Sequence, residues 1–444
     1  MPPTAFVAAL LLGAVWVIEV IRVFRPAPTL AAVGLSCLAA YALLALARAS
    51  RHIRALFLVV VAVAVALSAW QRDAAALLEG FSKAQIFGAF LPAILFLRAT
   101  AEADPRIRQV REDLGGLAPE AAKSWTQYGS HLLGAVLNVG AFAILAPVVA
   151  RGNDEPARLE LARSAARGVG GAVMWSPFFV SLGFVSQLVP AATLWQAMAV
   201  GSGLAIMGFA LSHALFMPSL GPAAWRASLA RLAPILAPMS LVIGAVVAAT
   251  LLLHWSGLQA VAIVVPALCI AYIALLGPSQ GAAILRRTVA SSTRISDELL
   301  IVVGATVLGA AIAALPAVQA LGREVTPAMA SGPVLLGGLV LVLLALGQLG
   351  LHPMIGASLV IPVVAGGDFG LCAVVLVSAG VFAWALNASV SIWTLPVAVA
   401  SSAFSVNATR MMSRATWKYL ALHAAGGILY LAAANALLRA LGCQ

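Results

Sequence analysis

Leu137-Asn138-Val139-Gly140-Ala141-Phe142-Ala143-Ile144-Leu145-Ala146-Pro147-Val148-Val149-Ala150 is an apolar run that cannot form one clean membrane-spanning helix. Asn138, Gly140 and Pro147 interrupt it. It reads instead as half-helices of about 8–10 residues, too short to cross a bilayer core of about 30 Å. Such a pair suits a hairpin, here 130–150, that enters and leaves on one side. Backbone broken at membrane depth survives only where protein or a watery cavity covers it. A related pattern stands 215 positions later, at His352-Pro353-Met354-Ile355-Gly356-Ala357-Ser358-Leu359-Val360-Ile361-Pro362-Val363-Val364-Ala365, within a second hairpin at 348–366. Both stretches end in Pro-Val-Val-Ala, and Asn138 and Pro353 each stand nine positions before the second proline.

Each hairpin is followed by an interrupted helix. In the first half, spanning 163–187, it contains Arg167-Gly168-Val169-Gly170-Gly171 and reaches Trp175-Ser176-Pro177. In the second, spanning 370–407, it runs from Gly380 through Trp384, Asn387, Ser389 and Ser391 to Trp393-Thr394-Leu395-Pro396. A hairpin plus a broken helix, twice, half a chain apart, points to a secondary transporter's binding site. A break leaves backbone N–H groups unpaired at one helix end and carbonyls at the other. The N–H ends suit an anion and the carbonyls suit Na⁺.

Composition agrees. Of the 444 residues, 63% are hydrophobic and 9% charged, against about 45–50% and 25% in soluble domains. Only 7% are aromatic, so the excess is aliphatic. This excludes a soluble domain, and a β-barrel would alternate apolar and polar residues. The expectation is one all-α polytopic membrane domain over 1–444 with 11–12 crossings, its repeat halves at 1–217 and 232–444. The N-terminal run to Arg22 lacks a basic leader and reads as a retained first helix, with Glu19 free to pair with Arg22 or Arg25.

The chain has 26 Lys and Arg against 15 Asp and Glu. In a membrane protein this excess marks cytoplasmic loops, not nucleic acid. Segments 98–129 and 151–167 carry nine of these cations, so both are expected in the cytoplasm as solvated topology signals. The polar stretch 99–129 reads as a surface helix. Arg410, Arg414 and Lys418 place 408–418 on the same side, whereas strict alternation of crossings from 151–167 places it opposite and turns the second hairpin inward. Charge and count disagree here. The four cysteines, Cys37, Cys269, Cys372 and Cys443, show no metal or redox spacing.

At this point the layout resembles the ion transporter superfamily, which includes divalent anion–sodium symporters, arsenite-efflux permeases and sodium–proton antiporters. The resemblance covers 130–187 and 348–407 in detail. It implies two inverted repeats, each with a re-entrant hairpin and a helix broken at mid-membrane. The anion symporters carry Ser-Asn-Thr at each hairpin tip. Here those places read Val136-Leu137-Asn138 and Leu351-His352-Pro353, so only Asn138 keeps the motif. The family's acidic residue for proton or arsenite chemistry has no counterpart. Homodimers are common among these proteins, but no residue here marks one.

The candidate substrate- or ion-binding residues are Asn138, Gly140, Trp175, Ser176, His352, Pro353, Ser358, Asn387, Ser389, Ser391 and Thr394. Asn138 either caps a half-helix or lines the site. His352 either carries a proton or bonds a carbonyl at the Pro353 break. Asn387, Ser389 and Ser391 recur at i, i+2 and i+4, too polar a set to face lipid. Trp175 is a site or an interface aromatic, and Ser176 a site or a break marker. The expected activity is secondary transport of a small anionic solute, an organic carboxylate, coupled to Na⁺ or H⁺ in a bacterial inner membrane. The alternative is an ion–proton antiporter or efflux permease. No membrane-protease pattern occurs, so an enzyme is not expected, nor a cofactor or metal beyond Na⁺. Lipid and the transported solute are the partners expected.

Overall fold

A computed structural model describes residues 3–107, 119–149, 154–230, 232–324, 332–367 and 369–443. Residues 108–118, the most charged part of the expected surface helix, and Arg151 lie outside them. The described helices are, in order, α1 (Pro3–Phe24), α2 (Pro28–Arg48), α3 (Arg51–Gln71), α4 (Ala75–Ala84), α5 (Phe87–Ala103), α6 (Pro119–Leu137), α7 (Gly140–Val149), α8 (Glu155–Val173), α9 (Val180–Leu188), α10 (Leu194–Phe216), α11 (Pro222–Ala230), α12 (Ala233–Leu252), α13 (Gly257–Leu276), α14 (Pro278–Ser291), α15 (Ser296–Ala313), α16 (Pro316–Glu324), α17 (Gly332–Gln348), α18 (Pro353–Ala365), α19 (Ala373–Val390), α20 (Leu395–Ala403) and α21 (Arg414–Ala440). No strand occurs among the described residues. The chain is an all-α polytopic membrane protein, as an apolar chain that must satisfy its own backbone requires.

Ten described helices are long and apolar enough to cross a membrane, counting α4–α5 and α19–α20 as interrupted spans. Eleven or twelve were expected from the apolar runs. The runs at 331–347 and 348–366 form helices of only 17 and 13 residues. At 1.5 Å per residue neither reaches about 30 Å.

The chain forms two compact units, each drawing on both sequence halves. The first comprises residues 1–103, 242–324 and 358–367. Here α4 lies so close to α15 that a Cβ on Gly80 would meet the Val307 backbone. Trp16 Nε1 donates to the Ala262 carbonyl at 2.9 Å, and the Tyr41 and Ser296 hydroxyls meet at 3.0 Å. Glu19 pairs with Arg22 at 2.5 Å. Ser358 belongs to this unit, its Oγ donating to the Ala305 carbonyl at 2.7 Å.

The second unit comprises 104–241, 325–357 and 368–444. In it α6 and α8 run in the same direction. Ser130 Oγ donates to the Ala165 carbonyl at 3.0 Å, and further along Ser176 Oγ donates to the Ala135 carbonyl at 2.6 Å. Between α6 and α7 the chain turns at Asn138, whose φ of 55° lies in the left-handed region that Asn tolerates. α7 then packs against α6, and the chain re-enters as α8. The pair α17 and α19 repeats the parallel arrangement. Asn387 Nδ2 donates to the Leu343 carbonyl at 3.2 Å, and Ser391 Oγ to the Gly347 carbonyl at 3.1 Å. After α17 the chain turns at Gly350, with φ 91°, and by Leu371 it is beside Gly332 at the start of α17.

The 27 residues of α21 span about 40 Å and identify the ends. Arg163 Nε donates to the Met411 carbonyl at 3.0 Å, and Arg410 pairs with Glu155. So α8 begins where α21 begins. At the other end Cys372 and Cys443 form a disulfide. Asn435 Oδ1 accepts from the Cys372 N–H, and its Nδ2 donates to the Gly370 carbonyl, both at 2.9 Å. So α19 begins where α21 ends. Segments 154–163 and 410–414 share one end, as their arginines indicated and strict alternation did not. The count fails because α17 and the turn after it return to their own end.

Candidate functional site

The second unit contains two helix breaks. The first lies between α8 and α9, at 174–179, and the second between α19 and α20, at 391–394. Both are organised by serines 215 positions apart. Ser176 Oγ donates to the Ala135 carbonyl and accepts the Phe178 N–H at 3.3 Å. Ser391 Oγ donates to the Gly347 carbonyl and accepts the Trp393 N–H at 3.4 Å. Each serine therefore ties a break to the preceding helix of the parallel pair and caps a backbone donor that the helix has released. Thr394 Oγ1 donates to the Ser391 carbonyl at 2.7 Å.

The two broken helices cross closely. Gly170 in α8 faces Ser389 in α19, and a Cβ at Gly170 would overlap the Ser389 hydroxyl. Beyond the break, Phe184 in α9 meets Trp384 edge-on, their centroids 6.4 Å apart. Small residues at the crossing let the backbones approach, as in other membrane helix pairs.

The predicted residues distribute as follows. Asn387, Ser391 and Thr394 gather around the end of α17. Asn387 is 1% exposed, and its Oδ1 accepts from Gln348 Nε2 at 2.9 Å. Ser389 points away from them toward α8, as a step of 100° per residue dictates. Its hydroxyl donates to the Ala385 carbonyl at 2.8 Å. Asn138 occupies the α6–α7 turn, where its Oδ1 accepts the Val139 N–H at 2.8 Å. Gly140 is buried at the start of α7. His352 and Pro353 lie where α17 gives way to α18. His352 Nδ1 accepts the Met354 N–H at 3.3 Å, and its ring meets Trp384 edge-on at 6.3 Å. Ser358 belongs to the first unit, where its Oγ donates to the Ala305 carbonyl.

Trp175 leads to a residue that the sequence did not single out. Its Nε1 donates to His131 Nε2 at 3.2 Å. The other ring nitrogen, Nδ1, meets the Gly168 carbonyl at 3.3 Å. With Nε2 accepting, Nδ1 carries the proton and donates, so the two partners fix a neutral tautomer. Phe209 packs edge-on against the same ring at 4.7 Å. Gln127, one turn earlier on α6, accepts from Ser212 Oγ at 2.8 Å and is 1% exposed. The polar set is therefore larger than expected and extends along α6. The only sequence signal for it was a polar stretch continuing into the apolar run, since α6 begins at Pro119 and not at 130.

One expected loop arginine also proves internal. Arg167 is 3% exposed, inside α8, and is not a solvated topology signal. The helix begins at Glu155, so the loop ends at Asp154, thirteen residues before the 167 that the charge pattern suggested. Compared with protein-family models and with curated protein sequences, the chain has no match.

Proposed function

We propose that the protein is a secondary active transporter of the ion-transporter-superfamily type. It carries a small anionic solute, an organic carboxylate, across a bacterial inner membrane on a Na⁺ or H⁺ gradient. The observation that carries this reading is the paired break. Ser176 and Ser391 hold two interrupted helices by the same two kinds of hydrogen bond, each against a parallel partner helix. The parallel pairs begin at opposite ends of α21. That is the arrangement an inverted duplication produces. It places helix termini, with their unpaired N–H and carbonyl groups, between the two faces, where a solute and a coupling ion need them. Asn138, Trp175, His352, Asn387 and Thr394 stand at or next to these turns and breaks.

The test is uptake by proteoliposomes containing the full chain. Radiolabelled formate, succinate and citrate are supplied separately under an inward Na⁺ gradient and an inward proton gradient. Concentrative uptake of one solute under one gradient is expected, and dissipating that gradient should collapse it. Asn138→Ala and Asn387→Ala are expected to lower initial rates at least tenfold in liposomes of equal protein content. Equal uptake with and without gradients for all three solutes removes the reading. Full activity in both variants removes the site.

A further inference from the structure

Arg167 is the most deeply buried cation among the described residues of the second unit. Its guanidinium lies over the Phe216 ring at 4.0 Å and faces the Tyr419 ring at 6.0 Å. Neither ring is a carbonyl or carboxylate acceptor for its N–H groups. The N–H donors point from its edges, and there the accounting does not close. Nη2 donates to Ser164 Oγ at 3.0 Å. Nε and Nη1 are buried and have no hydrogen-bond partner among the described residues. Only one of the five donors of a permanently charged group is thus paired among the described residues. No ion pair involves Arg167 among the described residues, and Glu160, about two turns earlier, is already bonded to Arg163.

An unpaired buried charge is the costly case, whereas a paired one is tolerable. Stacking on Phe216 offsets part of the cost but satisfies no donor. The neighbourhood shares the deficit. Tyr419 packs against His423 with rings 5.3 Å apart. His423 is 1% exposed. Its Nε2 meets the Leu204 carbonyl at 3.0 Å, so Nε2 is the donor and Nδ1 the acceptor, and Nδ1 has no partner among the described residues. The cluster lies one turn inside Arg163, which itself reaches the 410–411 backbone. It is therefore near the start of α21, and on α8 it lies about two turns before the first break.

We propose that Arg167, with Phe216 and Tyr419 around it, forms a binding site for a small carboxylate whose oxygens take the unpaired edge of the guanidinium. The planar fork of a guanidinium matches the two oxygens of a carboxylate, and such charge-assisted bonds are the strong ones. The proposal stands without the transport reading, because equilibrium binding is measured whether or not the protein moves anything.

The experiment is thermal unfolding of the full-length protein in detergent, followed by tryptophan fluorescence. Potassium formate is titrated to 100 mM in MOPS at ionic strength held constant with potassium MOPS. A ligand that binds only the folded state raises the melting temperature by mass action. A rise of about 2–4 °C is expected for the wild type. Arg167→Gln is expected to melt no lower than the wild type without formate, since it removes an uncompensated charge, and to show no formate shift. Arg167→Lys keeps the charge without the fork and is expected to keep less than half of the shift. An undiminished shift in Arg167→Gln, or no shift in the wild type, overturns the site. So does a marked loss of formate-free stability in Arg167→Gln with Arg167→Lys unchanged, because that marks a charge satisfied within the fold. Arg167→Lys keeps the test open if Arg167→Gln fails to fold: a formate shift in it equal to that of the wild type overturns the site.

Discussion

Gly347→Ala is expected to melt well below the wild type, with a destabilisation of about 2–4 kcal/mol. A Cβ at position 347 would fall inside the Asn387 amide group, overlapping its nitrogen, carbon and oxygen. Overpacking a buried contact costs about 1–3 kcal/mol by itself. Asn387 cannot simply swing aside. Its nitrogen donates to the Leu343 carbonyl and its oxygen accepts from Gln348. Moving it breaks both bonds at a side chain that is buried. Gly338 on the same helix is the control, since nothing lies within 4 Å of its Cβ position. Gly338→Ala is expected to be neutral or stabilising by up to about 1 kcal/mol, from helix propensity alone. Melting temperatures of the two variants in one detergent check this. A double variant, Gly347→Ala with Asn387→Ala, should lose less than the sum of its parts, because both changes act on one contact. Equal melting of Gly347→Ala and Gly338→Ala would show that α17 and α19 do not approach in this way.

The same contact shows what could be read from residues and what could not. The helix breaks were legible because polar or cyclic residues in aliphatic runs have few other uses. Asn138, Ser176 and Ser391 all stand where the backbone leaves its helix. The i, i+2, i+4 pattern of Asn387, Ser389 and Ser391 identified a buried polar strip. It could not say that Asn387 and Ser391 turn toward α17 while Ser389 turns toward Gly170. That depends on helix phase, and neighbouring helices alone reveal phase. The extent of α6 was obscured for a related reason. Its first two turns are polar enough to resemble a surface segment, so His131 and Gln127 were not associated with Trp175 and Ser212.

Arg167 illustrates a different limit. Counting basic residues groups segments at one end of the membrane helices, and Arg163 and Arg410 do lie at one end. It treats every arginine in the segment alike. Arg163 and Arg167 are one turn apart on α8, yet the first reaches backbone carbonyls at a helix end and the second is enclosed by aromatic rings. The boundary between solvated and buried charge runs between them, and composition has no access to it.

The cysteines carry the second large expectation. Removing Cys372 or Cys443 is expected to cost about 2–4 kcal/mol and to free the start of α19 from the end of α21. The bond closes a loop across a sequence separation of 71 residues. Chain-entropy arguments put such a closure at about 4 kcal/mol, and less where the unfolded chain keeps its helices, as it does in a membrane. Asn435 already bonds Cys372 and Gly370, so the disulfide reinforces a contact that persists without it. Cys372→Ser should therefore fold and melt lower, and reduced wild-type protein should match it. The bond also constrains topology. Disulfides persist in oxidising compartments, while arginine-rich ends stay in the cytoplasm. The two indicators stand at opposite ends of α21, with Arg410 and Arg414 at its start and Cys443 after its finish. Each is weak alone, but they derive from unrelated chemistry and assign the same direction. In intact cells, a membrane-impermeant maleimide should label a Cys37→Ser, Cys269→Ser protein only after mild reduction. Labelling without reduction would deny the bond. Labelling that needs permeabilised cells would reverse the orientation, and with it the face to which the Arg167 cluster belongs.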